Sequence, residues 1–169
     1  MRFLDIFVRQ NHPGELRHHY ADYGEKLAGA REYRRLEDLP WPLLVDDHQG
    51  SVHRAYGGEQ ADPTILLDRD GRVALYQLWT HVPTLERAIR ALLAQGGRGT
   101  VLGGVDRRPH LLASVVDGYR GPRRGGRRGV AEYNRGGFGA GTLSYLGGLA
   151  KPLLAPIALR SRPLSDVRR

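Results

Sequence analysis

Residues 3–15 read FLDIFVRQNHPGE. From Phe3 to Val8 the run is nearly continuous in apolar residues, the pattern of a strand covered on both faces of an α/β sheet rather than one half in water. NHPG at 11–14 is a turn signal. A buried strand that opens a chain with no lead-in raises the question of what precedes it in the fold.

The next segments keep the α/β alternation. Tyr23, Leu27, Ala30, Tyr33 and Leu36 recur at helical spacing, and Glu25, Arg31 and Arg34 fall on the other face, so residues 22–36 are predicted as a helix. Pro40 and Pro42 end it. Leu43–Val45 reads as a short strand and 51–56 as one or two helical turns. Residues 64–67 and 72–79 flank DRDG, a tight-turn sequence in which glycine takes positive φ cheaply. A helix over 84–95 starts with Pro83 in its first turn and ends at Gly96-Gly97. The expectation is an α/β fold in which 2–9, 64–67 and 72–79 belong to one mixed sheet, with the two longer helices flanking it.

Beyond residue 95 the composition changes. Residues 1–95 carry 12 Lys+Arg against 14 Asp+Glu, whereas 96–169 carry 14 against 4, so the net charge of +8 resides in the second part. The division expected is therefore a domain over 1–95 and a basic Gly/Arg/Pro-rich C-terminal tail over 96–169. RGPRRGGRRG at 120–129 forms the centre of that tail. It reads as a linker, partly disordered, with helical islands near 106–118 and 142–159, the second interrupted by Pro152 and Pro156.

Composition excludes several chemistries. With no cysteine, the chain by itself has no disulfide, thiolate metal site or thiol redox centre. No apolar stretch reaches the length of a membrane span. The opening residues lack the basic and apolar regions of a secretory signal, which predicts a cytoplasmic location. His18, His19, His48 and His53, even with Asp46 and Asp47 nearby, match no ligand spacing; they read as solvated loop histidines, and no metal or cofactor is expected. Ser51 and Ser144 lie in no nucleophile elbow, and no phosphate-binding glycine motif is present. Arg120, Arg123, Arg124, Arg127 and Arg128, with Tyr119, Tyr133 and Phe138 close in sequence, are the candidate polyanion-binding residues, through charge and stacking. The plainer reading is a solvated arginine-rich linker.

Three segments in order, FLDIFVRQNHPGE at 3–15, PWPLLVDDHQGSVHRAYGG at 40–58 and DPTILLDRDGRVALYQLW at 62–79, resemble the redoxin-like proteins related to the iodothyronine deiodinases. The resemblance covers about residues 2–95. It implies a thioredoxin-like fold and thiol- or selenol-based redox chemistry, either reductive dehalogenation or peroxide reduction. In that family the cysteine or selenocysteine nucleophile follows the first core strand, at a helix N-terminus that favours the thiolate. Nothing here matches that strand, loop or nucleophile, and Met1 corresponds to the start of the family's second core strand. The resemblance thus implies a thioredoxin-like fold truncated by its first βα unit, whether as a truncated gene product, a misplaced start or a degenerate paralogue. The missing strand would lie between the strands matching 3–8 and 64–67.

The resemblance also assigns residues. His12 matches the family's turn histidine, near substrate, as a proton donor or orienting group; the plainer reading is a turn histidine bonded to local backbone. Glu15 reads as a helix-start or solvent residue. Pro63 matches the cis-proline that faces the active-site loop, and Tyr56, in AYGG, packs its ring on the core or stacks on substrate. Without a nucleophile the chain is expected to be catalytically silent alone, with a small-molecule substrate or thiol reductant as partner only in the complete architecture. The alternative is a non-enzymatic RNA- or polyanion-binding protein acting through its arginine-rich tail.

Overall fold

The computed structural model describes residues 1–9, 12–57, 62–108 and 110–160. The strand opened by the first apolar run is β1 (Asp5–Phe7). It is followed by α1 (Tyr23–Leu36), β2 (Leu43–Val45), α2 (Ser51–Ala55), β3 (Thr64–Leu67), β4 (Val73–Gln77) and α3 (Val82–Ala94). The second part contributes β5 (Val105–Asp106), α4 (Leu111–Asp117), α5 (Arg120–Arg124), α6 (Gly126–Gly136), α7 (Ala140–Leu149) and α8 (Lys151–Ala158). The fold is mixed α/β.

Local signals explain the main elements. Asp22 caps α1 by accepting from the Glu25 N–H at 2.9 Å, and Glu25 accepts from the Ala21 N–H at 2.9 Å, so two of the first donors are satisfied. Arg34 and Arg35 sit at the negative end of its dipole. In the β3–β4 turn the Asp68 carboxylate accepts from the N–H groups of Asp70, Arg72 and Gly99 at 2.9–3.0 Å. Gly71 takes φ +78° there, where a side chain would be strained.

The expected single sheet is two sheets. β1 pairs in parallel with β2, Ile6 opposite Leu44. Separately, β3 pairs antiparallel with β4, and β4 pairs in parallel with β5. The strands over 2–9 and 72–79 are also shorter than the apolar runs suggested. The core lies on the second sheet: Leu66, Ala74 and Leu75 pack against Ala88 and Leu92 of α3 and against Val101. Over the first sheet burial is thin, and Ile6, Leu44 and Tyr23 remain exposed.

Two expectations for the second part are corrected. The boundary at residue 95 falls short of the fold, because Val101 belongs to the core and β5 extends the sheet. RGPRRGGRRG is helical and packed, not a linker, because its glycines admit close backbone. Gly125 and Gly129 lie against the His12 carbonyl, and Leu16 donates its N–H to the Gly125 carbonyl at 3.2 Å. Glu15 accepts from the Arg127 and Arg128 N–H groups at 2.5 and 2.8 Å, a carboxylate at the start of α6. Pro152 falls in the first turn of α8, and Pro156 sits inside that helix rather than ending it. No helix among the described residues is long and apolar enough to cross a membrane.

Candidate functional site

A cleft of about 470 Å³ opens at the carboxyl ends of β1 and β2, the position where parallel α/β sheets take their ligands. Val8 and Arg9 follow β1; His48, Gln49 and Gly50 follow β2; His53 and Arg54 come from α2, and Lys26 from α1. The loop that carries three of these residues is fixed locally. Asp46, 2 % exposed, accepts from the Val52 and His53 N–H groups at 3.0 and 2.9 Å. Asp47 accepts from the Ser51 N–H at 3.2 Å and from its hydroxyl, and Gly50 turns the chain at φ +74°. Arg54 is anchored by donating to the Gln49 carbonyl.

Lys26 is the unusual member. It is 3 % exposed, although lysine is among the residues least often buried without a partner. Its Nζ donates to the Asp47 carbonyl at 2.6 Å, and among the described residues no carboxylate stands within ion-pair distance. Burial pulls its pKa down, against the opposing pull of Asp46 and Asp47. The sequence pattern placed Tyr23 and Leu36 on the buried face of α1. Ala30 of that face is buried, but Lys26 is buried beside it while Tyr23 and Leu36 are exposed.

A second polar constellation is enclosed rather than open. Asp106 of β5, 2 % exposed, accepts from Arg108 Nε at 3.0 Å, from His110 Nε2 at 2.7 Å and from Gln77 Nε2 at 3.3 Å. The His110 ring stacks on His81, with centroids 4.0 Å apart and planes within 4°. His81 Nδ1 lies 2.8 Å from Thr84 Oγ1. His110 holds a left-handed backbone, φ +40°, which strains a residue with a side chain. Burial and the neighbouring His110 lower the pKa of His81. For Asp106 burial works against ionisation, but the hydrogen bonds from Arg108 and His110 outweigh it and the pKa falls. His81, Thr84, Gln77 and Asp106 are all nearly inaccessible, so this group joins α3, β4 and β5 rather than meeting a substrate.

The residues assigned by resemblance do not meet. The His12 ring lies 4.6 Å from Tyr133 of α6, and burial lowers its pKa against the opposing effect of Glu132. Tyr56 is 54 % exposed instead of packed on the core; its carbonyl accepts from the Tyr76 hydroxyl at 3.0 Å. Pro63 is trans, since no cis peptide occurs among the described residues; it enters β3 as an ordinary strand-start proline. His53, expected in solvent, is buried on α2. Asn11 and Gly58, from the two turn motifs, lie outside the described residues. Among the described residues no group of His, Asp and Glu could hold a metal ion.

Of the five arginines of 120–128, Arg124 pairs with Glu37, whereas Arg120, Arg123 and Arg127 are exposed with no carboxylate in ion-pair range among the described residues. His81, His110 and Asp106 carried no signal in the sequence, because their spacing has meaning only once β5 lies beside β4. Lys26 had a faint one, a lysine four residues before Ala30 on a helix. Comparison with models of protein families, with curated proteins and with solved structures finds no match.

Proposed function

We propose that this chain is a redoxin-like domain related to the iodothyronine deiodinase family, standing without the strand–helix unit that carries the nucleophile, and silent in thiol or selenol redox chemistry by itself. The observation that supports this reading is the break in the sheet. The strands form two separate sheets, β1–β2 and β3–β4–β5, whereas the resemblance expects one sheet with a further strand between β1 and β3. An α/β sheet with both halves present and its middle strand wanting would divide in this way. The absence of cysteine removes the thiolate such chemistry needs. The test is peroxide or aryl-iodide reduction by the purified chain with a thiol reductant. The expected rate equals the no-protein control; turnover above it, lost in His12→Gln, would refute the silence.

A second reading rests on a separate observation. Arg120, Arg123 and Arg127 project from α5 and α6 without acidic partners among the described residues, a surface for polyanions such as RNA. Neutralising about three phosphates gives a log–log salt slope of about −2 on single strands. Fluorescent single-stranded RNA titrated at rising salt distinguishes this weak, sequence-blind attraction from tight salt-resistant binding.

A further inference from the structure

We propose that the cleft at the carboxyl ends of β1 and β2 is a binding site for a small phosphate-bearing molecule, held by Arg9, Lys26 and Arg54. Three permanent or near-permanent cations and two imidazoles face a concavity that no aspartate or glutamate lines among the described residues. Charges of one sign gathered in a concave wall repel one another and focus a positive potential into the space between them. A fold gains nothing in stability from that arrangement.

Lys26 is the independent indication. A surface lysine would mean little, but this ammonium is almost completely withdrawn from water. Its one hydrogen bond goes to a neutral carbonyl, which leaves two donors to be satisfied. The two acids whose charges reach it, Asp46 and Asp47, do not stand at ion-pair distance. Asp46 spends both oxygens on the Val52 and His53 N–H groups, and Asp47 holds Ser51. A buried charge without an opposite partner is costly, and an anion arriving in the cleft supplies the missing partner.

The remaining features select the class of anion. The volume, about 470 Å³, suits a small molecule and is larger than a bare halide needs. Arg9 and Arg54 bring planar forks that match phosphate oxygens in pairs, and Lys26 adds a point charge from below. Arg54 is already anchored through the Gln49 carbonyl, so little of its freedom remains to be lost on binding. Val8 contributes an apolar wall for the organic part of the ligand. This inference is independent of the redoxin-like reading: it needs only β1, β2, α1 and α2 as they stand.

The experiment is calorimetric titration of the full chain with inorganic phosphate and with phenyl phosphate at low salt, followed by amide NMR. The expected result is saturable one-site binding, tighter for phenyl phosphate, with shifts at Arg9, Gly50 and Arg54. Arg9→Gln and Arg54→Gln should each weaken binding roughly tenfold, the size of one charge-assisted contact. Lys26→Met should keep the circular dichroism of the parent and weaken binding at least as much. Arg87→Gln, an exposed change on α3 of equal charge, should leave affinity unchanged. Absence of saturable binding would overturn the proposal. So would full affinity in the Arg9, Arg54 and Lys26 variants, or a loss confined to Arg120→Gln/Arg123→Gln, which would assign the anion to the arginine-rich helices. Single-stranded RNA competing for the same shifts at Gly50 and Arg54 would equally overturn a small-molecule site.

Discussion

His81 and His110 illustrate how a residue acquires its properties from neighbours far away in sequence. Their rings stack at 4.0 Å, between Asp106 and Thr84. Burial is the main cost of protonating His81, and the neighbouring His110 and the Arg108 guanidinium add to it. Its folded pKa therefore lies below 6.5, as does that of His12. The sign follows from proton counting. As pH falls through 6.5 the unfolded chain binds protons that the folded chain refuses, so stability is lost on acidification. Thermal unfolding followed from pH 7.5 down to pH 5.5 should show a falling midpoint. His81→Gln should flatten that dependence, and His12→Gln/His81→Gln should flatten it further. Burial raises the Asp62 carboxyl to about 6, which works in the opposite direction, so a pH dependence left unchanged in His81→Gln is the result that would contradict the burial of that ring.

At the scale of elements, what could be read in advance and what could not divide along the same physical line. β2, α1 and the β3–β4 turn were legible because their causes are local: proline ends, an Asp22 cap, an aspartate–glycine turn. The same local logic failed at 120–129, where glycine and proline argue against helix. There α5 and α6 persist because Glu15 takes the free N–H groups and the glycines let the His12–Glu15 turn lie against them. Propensity lost to a tertiary contact more than a hundred residues long in sequence. β5 was missed for the related reason that two residues carry no periodicity, and the Asp106 group went with it. The cleft was not legible: its histidines read as solvated loop residues, and only the contact of α1 with the end of β2 reveals Lys26. The contact at the turn makes a specific demand. A Cβ on Gly14 would run into the Gly125 carbonyl and lie 2.6 Å from the Gly129 nitrogen. Gly14→Ala should cost about 1–3 kcal/mol, the usual range for overpacking, measured by urea unfolding. It should also speed amide exchange across 126–136. Unchanged stability would mean that α5 and α6 do not rest on the turn.

For the whole molecule the decisive fact is that apolar burial is concentrated on one sheet. Leu75, Ala74 and Ala88 are essentially inaccessible, while β1 and β2 keep Ile6 and Leu44 in water. Two sheets with unequal cores should not hold their backbones equally well. By the alternation of parallel and antiparallel ladders, the amides of Ile6 and Ile65 face away from β2 and β4. Both should exchange hydrogen quickly, whereas Leu75 and Leu66 should be among the slowest; strong protection at Ile6 and Ile65 would mean that these edges are covered in solution. The same open edges bear on how the protein must be handled and how it travels in a crowded cell. Two rows of donors and acceptors stand ready for any extended peptide of fitting pattern, including the same segment from another molecule. Sedimentation at rising concentration should therefore reveal reversible self-association, and a lysine placed at Ile6 should suppress it. What looks like an unfinished sheet is, from the standpoint of its surroundings, an adhesive seam.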